Sequence, residues 1–397
     1  MGKNYKKPLR PLVYLLIAIM ILGSGLTVNP VQAADQLISA PSFTDVSGHW
    51  AEKQIGNWVS QGIISGYEDG SFKPEREISR AEFITLVNKT FGFTQKAALK
   101  FSDVKFGDWY YDEIAKGIAA GYVSGYGDGT VKPGNPITRQ EVAVIFAKLL
   151  KLKDESRLTA LNQFKDRDTI PAWSRNAVSA LVSGKYMSGY PDGTYQPTRP
   201  TTRAESAVLL NQAIGTLYNT AGTYGPAEIT ETITGNLMVS AAGIKLRNLK
   251  ITGNLYLAAG IGEGEVELDN IKVEGTTVVS GGGENSIVIN DSTLGELIVD
   301  RQDGKVRIVA EGNTNVTIVR LESGAKLESG TVVGEGFGNT IVYITADEEV
   351  ELAGNFGTVN VETPNTQIVL TSCTINNLTV AETAGNTQVT LHKSAEV

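Results

Sequence analysis

A single cysteine, Cys373, excludes an internal disulfide, so this chain does not depend on oxidative stapling. Two histidines, His49 and His392, exclude sites built on several imidazoles, and leave Ser/His/Asp catalysis with only a loop histidine or one near the end. Beyond residue 22 no apolar run approaches the about 20 residues that a membrane-spanning helix needs. Cations are few and scattered: the formal charge is −8 with no Lys/Arg stripe, which argues against nucleic acid as a partner. The Asp-x-Gly turns lack the alternating Asp/Asn ligands and terminal Glu of a calcium loop, so neither a metal nor a cofactor is called for.

What is present begins with Lys3, Lys6, Lys7 and Arg10, an apolar run from Leu12 to Leu22, and the small-residue site Val31-Gln32-Ala33. Eleven apolar residues behind a basic start are the pattern of a secretory signal peptide, expected over 1–34, with cleavage after Ala33 or Ala34. Removing 1–33 takes four cations and no acid, moving the net charge to −12.

Three copies of one block follow, expected over 41–95, 99–155 and 162–217. Each has Gly-Tyr-x-Asp-Gly (Tyr67, Tyr126, Tyr190), with an arginine (Arg80, Arg139, Arg203) 14 residues after the first glycine and a tryptophan (Trp50, Trp109, Trp173) 16 residues before it. The distance from the opening aromatic to the tryptophan grows from 7 to 8 to 9, so rigid blocks are joined by elastic links, as in a repeated supersecondary unit. Apolar spacings of three and four after each tryptophan, ending at Gly62, Gly121 or Gly184, predict a short helix. A second helix is predicted to start at Ser79, Thr138 or Thr202, with Glu82, Glu141 or Glu205 three residues on completing a capping box.

The capping box explains the Ser/Thr and the Glu as scaffold. The arginine is harder to explain, because a cation at the first helical position faces the positive end of the helix dipole at a cost of about 0.3–1 kcal/mol. Arginine beside free N–H groups at a helix start makes an anion site, and its fork suits a carboxylate or phosphate. The tryptophans are either core anchors or stacking faces for sugar rings. Asp45, Asp103 and Asp166, early in each block, either cap turns or bind hydroxyls; the tyrosines pack beside the turn with hydroxyls within reach of a ligand.

Phe-x-Asp-Val, Trp, a helix ending in Gly, Gly-Tyr-x-Asp-Gly and Thr-Arg-Ala-Glu, in that order and three times over, resemble the S-layer homology domain. The resemblance covers about 41–215. It implies a mostly α, three-lobed pseudo-trimer around a bundle of three helices, and grooves that hold secondary cell wall polysaccharide, commonly ending in a pyruvylated sugar. It implies that Arg80, Arg139 and Arg203 clamp the pyruvate carboxylate while the three tryptophans and Asp45, Asp103 and Asp166 line the grooves. Ser79 for Thr, Gln140 for Ala, and Arg167 for Val depart from the pattern.

After a linker expected over 218–227, composition shifts to Thr, Val, Ile, Asn and Gly. Short alternating segments such as Val266-Glu267-Leu268, Ile287-Val288-Ile289, Val306-Arg307-Ile308 and Ile368-Val369-Leu370 recur at 18 to 22 residues, which predicts a parallel β-solenoid over 228–397, with an antiparallel β-sandwich as the alternative. Such a module is read as structural or adhesive, presenting a surface to a second copy or to other surface proteins. The alternative is a polysaccharide lyase or hydrolase, for which Asp269, Asp291, Asp300, Asp303, Asp347, Arg301, Arg307 and Arg320 are scattered candidates that do not recur at the coil period. Cys373 is expected in the core.

Overall fold

The computed structural model describes residues 43–152, 158–284, 286–344 and 348–392; the expected signal peptide and Asp347 lie outside them. Six α-helices come first: α1 (Glu52–Ser60), α2 (Arg80–Phe91), α3 (Tyr111–Ala119), α4 (Arg139–Leu149), α5 (Ala172–Ser183) and α6 (Arg203–Ile214). Helices α2, α4 and α6 each open with the predicted capping box, Ser79/Glu82, Thr138/Glu141 and Thr202/Glu205. Gly62 and Gly121 adopt the expected positive φ after α1 and α3, but after α5 the left-handed residue is Lys185 rather than Gly184.

The repeats close into a ring. The second helix of each packs on the first helix of the next: α2 on α3, α4 on α5, and α6 back on α1. Three hydrogen bonds among the segments entering these helices complete the circle: Ile78 N–H donates to the Thr201 carbonyl (3.0 Å), Thr201 to Ile137 (2.9 Å) and Ile137 to Ile78 (3.0 Å). Phe83 and Phe146 meet edge to face at 6.1 Å inside. Trp58 is fully buried and donates its indole N–H to the Ala207 carbonyl at 3.1 Å, tying the first repeat to the third.

All strand pairings from Thr216 onward are parallel, so the module is a β-solenoid and not an antiparallel sandwich. One row runs through the coils without a break: Leu217, Met238, Tyr256, Val278, Ile298, Arg320, Ile341, Asn360, Thr379. The neighbouring row, Leu237, Leu255, Thr277, Leu297, Val319, Thr340, Val359, Leu378, points inward. Cys373 is buried inside as expected, and burial pushes its thiol up to about 11.

Two details differ from the sequence reading. Ile287 pairs with Ile308 rather than Val306; a two-residue offset keeps the same face, so side-chain alternation alone does not detect it. The expected linker is partly sheet: Gly222–Tyr224 pairs with Ile244–Leu246, and Thr216–Tyr218 with Leu237–Val239. These three-residue strands are too short to show a period.

The helical ring and the solenoid share a core. Met238, Tyr256, Ala258 and Val278 belong to the same buried cluster as the residues of the helices. Gly92, at φ 73°, lies against Gly260, where an added Cβ would stand 2.3 Å from the Gly260 Cα. Lys151, just after α4, pairs with Asp300 (2.5 Å) and Glu322 (3.2 Å) of the solenoid.

Candidate functional site

Each Gly-Tyr-x-Asp-Gly turn is built locally. Asp69, Asp128 and Asp192 accept from the backbone N–H and the hydroxyl of Ser71, Thr130 and Thr194, fixing the turn. The next two N–H groups point at the opening aspartate of the same repeat. Asp45 accepts from Phe72 (2.8 Å) and Lys73 (2.7 Å), Asp103 from Val131 (2.9 Å) and Lys132 (2.7 Å), Asp166 from Tyr195 (2.7 Å) and Gln196 (2.8 Å). Lys73, Lys132 and Gln196 sit at φ 56°, 54° and 56°, costly for residues with a Cβ, and the carboxylate holds them there. At Asp45 burial opposes the charge, but the two N–H groups outweigh it and hold the carboxyl below its ordinary value. Of the two sequence readings, the turn-capping one describes what these oxygens do.

The arginines do not face their own repeat's tyrosine. Arg80 donates from Nε to the Val131 carbonyl (2.9 Å) and lies over the Tyr126 ring at 5.0 Å. Arg139 reaches Tyr195 O (3.0 Å) and Ser188 O (2.6 Å) over Tyr190 at 4.7 Å. Arg203 closes the ring on the first repeat, with Phe72 O (2.9 Å) and Ser65 O (2.8 Å), over Tyr67 at 4.9 Å. Each arginine therefore bridges to the next repeat. The helix-start N–H groups are not free: those of Arg80 and Ala81 donate to Asn135 and Pro133, those of Arg139 and Gln140 to Arg199 and Pro197, and those of Arg203 and Ala204 to Arg76 and Pro74. The inference of an anion site built on free N–H groups is corrected on that point. Folding also accounts for the arginine, because carbonyls of the next repeat compensate its position at the positive end of the dipole.

The tryptophans are the reverse. Trp50, Trp109 and Trp173 are 60%, 63% and 59% exposed, so the core-anchor reading does not hold; Trp58 fills that role. Trp50 directs its indole N–H toward Glu75 at 3.4 Å, and His49 also bonds Glu75 at 2.8 Å. Two of the tyrosine hydroxyls donate to the capping glutamates, Tyr126 to Glu141 and Tyr190 to Glu205 (3.0 Å), while that of Tyr67 accepts from Arg76. Burial, with the Glu141 hydrogen bond, pushes Tyr126 up to about 12.

Two residues were not found from the sequence. Arg76 and Arg199, nine residues after Tyr67 and Tyr190, stack on those rings at 5.5 and 4.8 Å and pair with Glu82 (3.0 Å) and Glu205 (2.6 Å). The second repeat has Asn135 at this offset, and there Arg80 pairs with Glu141 (3.2 Å) instead. The fixed offset was visible; the missing third copy hid it.

The S-layer homology domain family model matches residues 42–84, 100–143 and 163–207. The chain is 35% identical over 187 residues to cell surface glycoprotein 1 of Acetivibrio thermocellus, covering 45% of this chain and 8% of that protein. It is 30% identical over 174 residues to exoglucanase XynX of the same organism (43% and 16%). It is 34% identical over 159 residues to the cellulosome-anchoring protein of Acetivibrio thermocellus (38% and 35%). The chain thus spans at most about a third of the length of these relatives.

Proposed function

The chain carries three S-layer homology domains, and on that premise we propose that it is an exported bacterial surface protein held non-covalently to the cell wall. In this reading the ligand is a secondary cell wall polysaccharide with a carboxylate-bearing, pyruvylated end, and the solenoid is a structural or adhesive module. The observation that carries it is the threefold exposure of Trp50, Trp109 and Trp173 at equivalent positions, since a fold gains nothing from placing a large aromatic in water three times. An indole face suits the C–H face of a sugar ring. Each repeat boundary also carries a tyrosine flanked by cations: Arg203, Arg76 and Lys73 at Tyr67, Arg80 and Lys132 at Tyr126, Arg139 and Arg199 at Tyr190. These guanidinium and ammonium groups suit a carboxylate, while the opening aspartates shape the loop around it. An anchoring role is also what the name of the cellulosome-anchoring relative states for that protein, and it comes to the shared region by analogy.

Presentation rather than turnover is the reading for the solenoid. Asp269 pairs with Lys245, Asp300 with Lys151, and Asp303 with Arg301; Arg307 and Arg320 are held by Glu328 and Glu322. The full chain is expected to sediment with purified wall sacculi and to stay in solution once the non-peptidoglycan polymer has been stripped chemically. Equal binding to stripped sacculi would refute the assignment, and release of reducing or unsaturated sugars, abolished by one Asp or Arg change in the solenoid, would replace presentation with catalysis.

A further inference from the structure

A cavity of about 990 Å³ lies between the helical ring and the solenoid. Its helical wall carries Lys148 of α4 and Trp173 and Ala177 of α5; its solenoid wall carries Gln302, Arg320 and Glu322. Trp173 is therefore in two places at once. It is the exposed indole of the third groove, and Ser174 beside it meets Gln140, the neighbour of Arg139, at 3.5 Å. Trp50 and Trp109 do not line this cavity.

The chemistry of the lining selects a class of ligand. Most of its charges are ion-paired: Lys151 with Asp300 (2.5 Å) and Glu322 (3.2 Å), Arg320 with Glu322 (2.7 Å), Arg301 with Glu263 and with Asp303 (3.4 Å), and Lys116 with Glu113 outside the lining (2.6 Å). Paired carboxylates and guanidiniums keep lone pairs and N–H groups for hydroxyls. An exposed indole at one side and a volume at the upper end of ordinary ligand pockets, about 300–1,000 Å³, complete the requirements of a neutral, hydroxylated sugar.

We propose that this junction cavity is a glycan subsite in which the solenoid takes part, holding uncharged sugar units of the chain whose acidic end lies in the third groove. The inference rests on the wall-polysaccharide reading above. It gives the solenoid a share in binding and makes the third repeat unlike the other two in function.

Calorimetry on the full chain, titrated with size-fractionated wall polysaccharide of the producing bacterium and with its isolated terminal sugar, tests it. The longer fragments are expected to bind at least tenfold more tightly than the terminal sugar. Ala177→Phe, which projects a ring into the cavity from its helical wall, should abolish that gain while leaving the terminal sugar's affinity unchanged. Gln302→Ala, at an exposed position that does not threaten folding, should weaken the longer fragments alone by roughly 2- to 10-fold, the loss of one hydrogen bond. No gain with length in the unaltered protein, or a gain that survives both variants, overturns the proposal. If the unaltered protein binds neither probe, the wall-anchor reading itself fails and this subsite with it.

Discussion

Replacing Arg139 by alanine should weaken the helical ring far more than its place at a helix start suggests. The side chain is buried, donates to the carbonyls of Tyr195 and Ser188, and lies between the rings of Tyr190 and Tyr195. Each buried carbonyl left without a donor costs about 1–3 kcal/mol. Loss of the cation–ring contacts adds about 0.5–2 kcal/mol. Water entering the vacated space returns part of this, so the net loss is set at about 3 kcal/mol, near the top of what single substitutions cost. All four tryptophans lie between residues 50 and 173, so their fluorescence reports on the ring and not on the solenoid. Urea titration of the full chain followed at that signal should show a midpoint lowered by roughly 1–3 M for a slope of about 1–3 kcal/mol per molar. Arg139→Lys, which keeps the charge but not the fork, should fall between. An unchanged midpoint together with lost wall binding would refute the reasoning and return the arginine to a purely ligand-binding role.

The converse holds for the indoles: Trp50→Ala with Trp109→Ala should change stability by no more than about 0.5 kcal/mol each while reducing sacculus co-sedimentation, because exposed side chains contribute little to folding. Asp103→Ala removes the carboxylate holding the N–H groups of Val131 and Lys132, and should cost about 1–3 kcal/mol in the same titration. Acid should act through Glu82 and Glu205. Burial raises both, but the N-cap N–H groups and the Arg76 and Arg199 partners outweigh it, and their values fall below the ordinary 4.5. Their stabilisation is therefore complete above pH 4.5 and is lost as the pH falls through the depressed values; Glu82→Gln with Glu205→Gln should flatten that part of the pH profile. Gly92→Val should prise the ring from the solenoid, since Gly260 leaves no room for a side chain, and limited proteolysis should then cut the chain between residues 214 and 237.

The helices, their starts and the coil period were legible in the sequence because each follows from contacts a few residues apart. A capping box spans three positions, as at Ser79 and Glu82, and strand alternation spans two, as along Val266–Glu267–Leu268. The sequence therefore determined six helix positions, a coil period of 18 to 22 residues, an inward Cys373 and a threefold repeated block. What each site residue touches was decided only by ring closure. Arg80, Arg139 and Arg203 look identical along the chain, yet each finds its carbonyls and its tyrosine in the following repeat, 46 to 51 residues ahead for Arg80 and 131 to 138 residues back for Arg203. Burial separates Trp58 from Trp50 for the same reason: Trp50 lies just before α1 and Trp58 near its end, and the packing of α6 on α1 covers only Trp58. The register step from Ile287 to Ile308 likewise depends on how coils stack, because a shift of two residues leaves every local preference unchanged.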